Sequence, residues 1–84
     1  MPSVEKILAQ VLRGTADANI AFADLCRLLH QMGFVQRTKG SHHVFRREGV
    51  RELIVLQEDG KHAKPYQVRQ VRSIIARYGL AELI

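Results

Sequence analysis

Between Gly33 and Pro65 the apolar residues lose the three-and-four spacing they keep on either side. The chain there breaks into short runs divided by Gly40-Ser41, Glu48-Gly49 and Glu58-Asp59-Gly60. Glycine tolerates positive φ, and a serine or aspartate side chain can hydrogen-bond the local backbone, so each divider predicts a reversal of the chain. The runs between them read as strands at 34–39, 42–47 and 52–56. The third, Glu52-Leu53-Ile54-Val55-Leu56, is rich in branched side chains. Its unbroken apolar run predicts partial cover on both faces or contact with a partner.

Helices flank this block. Ser3 can cap a helix whose apolar residues Val4, Ile7, Leu8, Val11 and Leu12 share one face and which Gly14 ends. Residues 15–19 are small and polar, a connector. A second helix over 23–32 buries Leu25, Cys26, Leu28, Leu29 and Met32, with Asp24 near its positive end and Gly33 as its left-handed terminator. Residues 61–64 make a polar loop before Pro65, which opens a helix with the stripe Val68, Val71, Ile74, Ile75 and Tyr78, stopped by Gly79. Arg69 and Arg72 fall beside that stripe, facing solvent or an acidic partner. With 84 residues the chain makes one small domain with a thin core: an α+β fold, helices on one face of a small sheet.

A hydrophobic share of 46% with 25% charged residues is that of a folded domain and argues against disorder. The net charge of +5 points to a polyanionic partner, although the same excess also serves solubility. The single cysteine, Cys26, rules out an internal disulfide. No charged segment followed by an apolar run reads as a signal peptide, and no run approaches the roughly 20 residues needed to span a bilayer. The expectation is a cytoplasmic protein without a membrane partner.

The stretch Lys39-Gly40-Ser41-His42-His43, followed by Val44-Phe45-Arg46-Arg47, holds the candidate chemistry. Strand alternation puts His42, Val44 and Arg46 on one face and His43, Phe45 and Arg47 on the other. Phe45 is the largest apolar group of the six, so its face is expected to meet the core and His42 to lie on the open side with Arg46. An imidazole, with an ordinary pKa of about 6.5, exchanges a proton near neutrality. RNA cleavage needs that exchange, because the ribose 2′-hydroxyl must lose a proton to attack its own phosphate. Arg37, Lys39 or Arg46 could stabilise the negative charge that develops. On residue types alone, a solvent-exposed strand histidine is more often incidental than catalytic.

Other chemistries fit less well. His42 and His43 point to opposite faces and cannot close on one ion, no Cys or His pair has finger-like spacing, and His30 and His62 lack a carboxylate partner at a telling distance. No metal site is expected. Cys26 lies on an apolar stripe, as a buried, inert thiol does. No P-loop or dinucleotide fingerprint occurs, and no cofactor is expected.

Leu28-Leu29, Met32-Gly33-Phe34, Lys39-Gly40-Ser41-His42-His43, Lys64-Pro65 and Tyr78-Gly79-Leu80, in that order, resemble the HicA family of toxins from bacterial toxin–antitoxin systems, over about residues 22–80. The resemblance implies a fold like the double-stranded RNA-binding domain (dsRBD-like, α-β-β-β-α), with a three-stranded antiparallel sheet packed on two helices. It implies a metal-independent mRNA-cleaving ribonuclease, an mRNA interferase that inhibits translation and growth, held inactive by a HicB-type antitoxin. The family's catalytic histidine follows Gly-Ser directly, which here is His42, and Arg37, Lys39, Gly40, Ser41, Arg46 and Lys64 are then expected to contact RNA.

The chain departs from the family in two places. Residues 1–19, a helix and connector, precede the expected toxin domain at 20–84; such a helix more often pads the core than supports a homo-oligomer or holds the antitoxin differently. The third strand ends in Gln57, where many members have a Val-Pro-like segment ending in His; His62 in the next loop is a substitute candidate, and His43 another possible helper. The rival readings are a non-catalytic RNA-binding module of the same fold and a helix-turn-helix DNA reader built on Arg69 and Arg72. The second fits poorly, because a strand and a loop separate that helix from the one before it.

Overall fold

A computed structural model describes residues 2–84. Helix α1 (Val4–Arg13) begins where the Ser3 hydroxyl accepts the Lys6 backbone N–H at 3.2 Å, and it ends at Gly14, whose φ of +73° only glycine adopts freely. A 3-10 turn (Asp17–Asn19) leads to α2 (Phe22–Gln31). Then come β1 (Val35–Lys39), β2 (His42–Arg46) and β3 (Ile54–Leu56), a two-stranded hairpin of β4 (Glu58–Asp59) and β5 (His62–Ala63), and α3 (Pro65–Tyr78) with a closing 3-10 turn (Leu80–Leu83).

The sheet is antiparallel in the order β1-β2-β3, with Lys39 opposite His42, Val35 opposite Arg46 and Phe45 opposite Ile54. Gly40, with φ +60°, takes the first of the two loop positions between β1 and β2, where a tight hairpin favours glycine. The expected α+β architecture is the one observed.

One apolar cluster holds the layers together. The inward side chains Phe45, Ile54 and Leu56 meet Leu25, Leu28 and Leu29 from α2 and Val68, Val71 and Ile75 from α3, all buried. Alternation decides this, since Leu53 and Arg46 point the other way and stay exposed. Ile7 and Val11 bring α1 into the same cluster, so the N-terminal helix shares the core and has none of its own.

Three expectations need correction. Leu12 stays 42% exposed, because a rotation of about 100° per residue carries it to the flank of the α1 stripe, beyond the reach of α2 and α3. The apolar run at 52–56 keeps partial cover on both faces: Ile54 and Leu56 are buried inside, while outside Val55 is half-buried and Leu53 half exposed. Residues 61–64 are not a plain loop, since His62 and Ala63 pair with β4 and His62 bridges Ala21. Two backbone bonds, Phe22 N–H to the Lys61 oxygen and Ala63 N–H to the Ile20 oxygen, both 2.9 Å, dock that hairpin on the start of α2.

Arg72 is the third. Its side chain, 25% exposed, turns back onto the domain. Its guanidinium donates to both Asp17 carboxylate oxygens at 2.9 and 3.0 Å and to the Val11 carbonyl at 2.9 Å, capping the C-terminal end of α1. A DNA reader built on Arg69 and Arg72 would have to break that arrangement. Arg47 does the same for α2, donating to the Met32 carbonyl at 2.7 Å beside Gly33.

Candidate active site

The face of the sheet turned away from the helices is uncovered. Its side chains stand in three rows across the strands: Val35, Arg46 and Leu53; then Arg37, Val44 and Val55; then Lys39, His42 and Gln57. The first and last rows extend the β2–β3 register by one pair at each end. No carboxylate stands among these nine positions, and three are cations. Val35, 66% exposed, and Leu53, 50% exposed, flank Arg46 at the end opposite His42.

His42 is exposed at the mouth of β2, next to the Gly40-Ser41 turn and directly across from Lys39. Its Nε2 lies 3.2 Å from Gln57 Nε2. Lys64, the last residue before α3, donates from Nζ to Gln57 Oε1 at 3.3 Å, so it reaches His42 through an amide. The structure thus gathers His42, Lys39, Gly40, Ser41 and Lys64 at one end of the face. Arg37 stands one row further on and Arg46 two rows away, both exposed.

The remaining histidines lie elsewhere. His43 is half-buried on the inner face, edge-on to Phe22 with ring centroids 4.9 Å apart, and its Nδ1 meets Gln36 Nε2 at 3.1 Å and Thr38 Oγ1 at 3.2 Å. His62 sits opposite Asp59 in the β4–β5 hairpin and shares no hydrogen bond with His42. His30, on α2, lies against Phe45 at 5.5 Å between centroids. Among the described residues no three His, Cys, Asp or Glu side chains are grouped as metal ligands.

Gln57 read only as the place of a missing histidine, and Gln67 escaped the sequence reading. The Gln57 backbone N–H donates to Gln67 Oε1 at 3.2 Å, and Gln67 is 2% exposed, the one polar residue on the buried face of α3. Its position, four residues before Val71 on the apolar stripe, was the available signal: a polar side chain at a core position needs a partner.

Two ion pairs lie away from this face, Arg72 with Asp17 and Arg77 with Glu52. Arg72 holds the Asp17 carboxyl below the usual carboxylate range by hydrogen bonding it, and its own charge is reinforced in return. The Tyr78 hydroxyl, and after it Arg77, do the same for Glu52, tying the start of the third strand segment to the end of α3. Burial, and secondarily the charge of Glu58, pushes the Cys26 thiol up to about 11, as expected of a packed and unreactive group.

Residues 22–80 match the family described as HicA toxin of bacterial toxin-antitoxin. Neither the curated proteins nor the solved structures yielded a match. Among the described residues no helix is long and apolar enough to cross a membrane. A family match over most of the chain, on a three-stranded antiparallel sheet packed against helices, shows that this protein belongs to the HicA family and is the toxin of a toxin–antitoxin pair.

Proposed function

We propose that the protein is a metal-independent ribonuclease that cleaves mRNA, with His42 as its proton-transfer group and residues 20–84 as the toxin domain. The observation that carries this reading is the position of His42: an exposed imidazole on an uncovered face that holds Arg37, Lys39 and Arg46 and no acid. A polyanion can approach that face without meeting a like charge.

In this reading the ribose O2′ gives its proton to the His42 imidazole and bonds to phosphorus, while the bond from phosphorus to O5′ breaks. The departing O5′ takes a proton from the imidazolium or from water, leaving a 2′,3′-cyclic phosphate and a 5′-hydroxyl. Lys39, Gly40, Ser41 and Lys64 surround the reacting phosphate, and Arg37 and Arg46 hold phosphates further along the strand. Proton transfer of this kind contributes about 10² to 10⁴ in rate, so cations and substrate orientation supply the rest. A HicB-type antitoxin would silence the toxin by covering the same side chains.

The test is His42→Ala. The variant folds like the parent and shifts an RNA band without shortening it, and cells without the antitoxin tolerate it. Cleavage at the parental rate would remove His42 from the mechanism, and a parent chain that only shifts the band would make this an RNA-binding module.

A further inference from the structure

Lys64 Nζ lies 3.3 Å from one end of the Gln57 amide, and His42 Nε2 lies 3.2 Å from the other. An ammonium group has three N–H bonds and no lone pair, so the amide oxygen must face it. The amide NH₂ therefore faces the imidazole, and an NH₂ group only donates. The ring nitrogen it meets must present a lone pair, which puts the proton of the neutral ring on Nδ1. Turning the amide over would leave two donors facing each other at Lys64, so the assignment rests on chemistry as well as on placed atoms. The arrangement is anchored from below, because the Gln57 backbone N–H is held by buried Gln67.

We propose that Gln57, oriented by Lys64, is a positioning residue that fixes His42 in the Nδ1-protonated tautomer, making Nε2 the ring atom that takes the ribose proton. The last clause rests on the nuclease reading above, whereas the tautomer does not. In free histidine the proton prefers Nε2, so the native environment reverses the intrinsic preference. The ribose hydroxyl displaces the Gln57 amide from the Nε2 lone pair; one proton then moves in the step, from O2′ to Nε2, and the electron pair left on O2′ forms the bond to phosphorus. Lys64 acquires a second role, since its charge reaches the imidazole through an amide as well as attracting phosphate.

The experiment combines long-range proton–nitrogen NMR of the His42 ring with single-turnover cleavage of an RNA oligonucleotide, on the full chain and on Gln57→Leu and Lys64→Met. Both substitutions keep the backbone bond to Gln67, and the amide spectrum of each variant reports its fold. The parent shows a pyridine-like Nε2 and a protonated Nδ1 at a pH where the ring is neutral, and both variants shift the proton toward Nε2. For Gln57→Leu kcat falls about tenfold or more with little change in KM, the pattern of a misplaced tautomer. For Lys64→Met KM rises as well. A parent ring protonated at Nε2, or variants that leave the tautomer unmoved, would overturn the proposal. A tautomer that behaves as stated in a chain that cleaves no RNA would uphold the positioning and sink the nuclease.

Discussion

Arg72 and Asp17 stand 55 residues apart in the chain and meet through two parallel hydrogen bonds of 2.9 and 3.0 Å. The same guanidinium covers the end of α1 at Val11, so a single side chain of α3 fastens the N-terminal helix and its connector to the rest of the domain. Asp17→Asn should cost about 1 kcal/mol at neutral pH, a two-point charged pair discounted for the solvent that reaches it. In a domain of this size that is a fall of roughly 4 to 8 °C in Tm.

The pH dependence of that loss has a definite sign. The folded Asp17 carboxyl titrates below its ordinary range because Arg72 bonds it, so its contribution is complete above about pH 4 and disappears as the pH falls through the lower, folded value. Thermal unfolding of parent and Asp17→Asn should therefore diverge at pH 7 and converge under strong acid. Parallel curves across that range would show that the pair adds nothing to folding.

Gly14 and Gly79 both end helices at positive φ, +73° and +64°, but only Gly14 is crowded. A Cβ at Gly14 would lie 3.2 Å from the Arg72 guanidinium, whereas one at Gly79 would meet nothing within 4 Å. Gly79→Ala should cost about 1 kcal/mol for the left-handed backbone alone. Gly14→Ala should cost more, and combining it with Arg72→Met should bring its cost down to the Gly79 level. Equal costs for the two glycines in the parent background would mean that the guanidinium yields freely.

If RNA lies along the uncovered face, Arg37→Gln and Arg46→Gln should each lower the slope of log affinity against log salt by about 0.7, one single-stranded phosphate contact apiece. Arg77→Gln should leave that slope unchanged, because Arg77 is occupied by Glu52 at the end of α3. Filter binding over a range of salt concentrations measures all three. A slope that drops for Arg77 and not for Arg37 would move the RNA to another side of the molecule.

Cys26 offers a check on packing. With its thiol pushed up to about 11 inside the core, alkylation by iodoacetamide at pH 8 should be slow in the folded chain and fast in denaturant. Rapid labelling of the native protein would show that α2 opens readily.

Periodicity made the elements legible. The α3 stripe from Val68 to Tyr78, the α2 stripe and the two-residue turn at Gly40-Ser41 follow from spacing and turn chemistry that no tertiary contact overrode. Strand parity alone put His42 outside and Phe45 inside, because a core-sized aromatic settles which face is buried. What spacing could not reveal was pairing between distant segments. Arg72 read as a surface cation because Asp17 lies in a connector without a pattern, and Gln57 read as a missing histidine because its partners Lys64 and Gln67 lie beyond a hairpin. The two-residue strands β4 and β5 are too short to show an alternation.

The nine outward positions of the sheet carry three cations and no carboxylate, while Asp17 and Glu52 are each neutralised by an arginine of α3. If the target is RNA, a tumbling polyanion is turned toward that face before contact begins, so added salt should slow capture far more than it hastens escape. Much of the selectivity for which side is touched is then settled at a distance, in the solvent, before any side chain closes on a nucleotide.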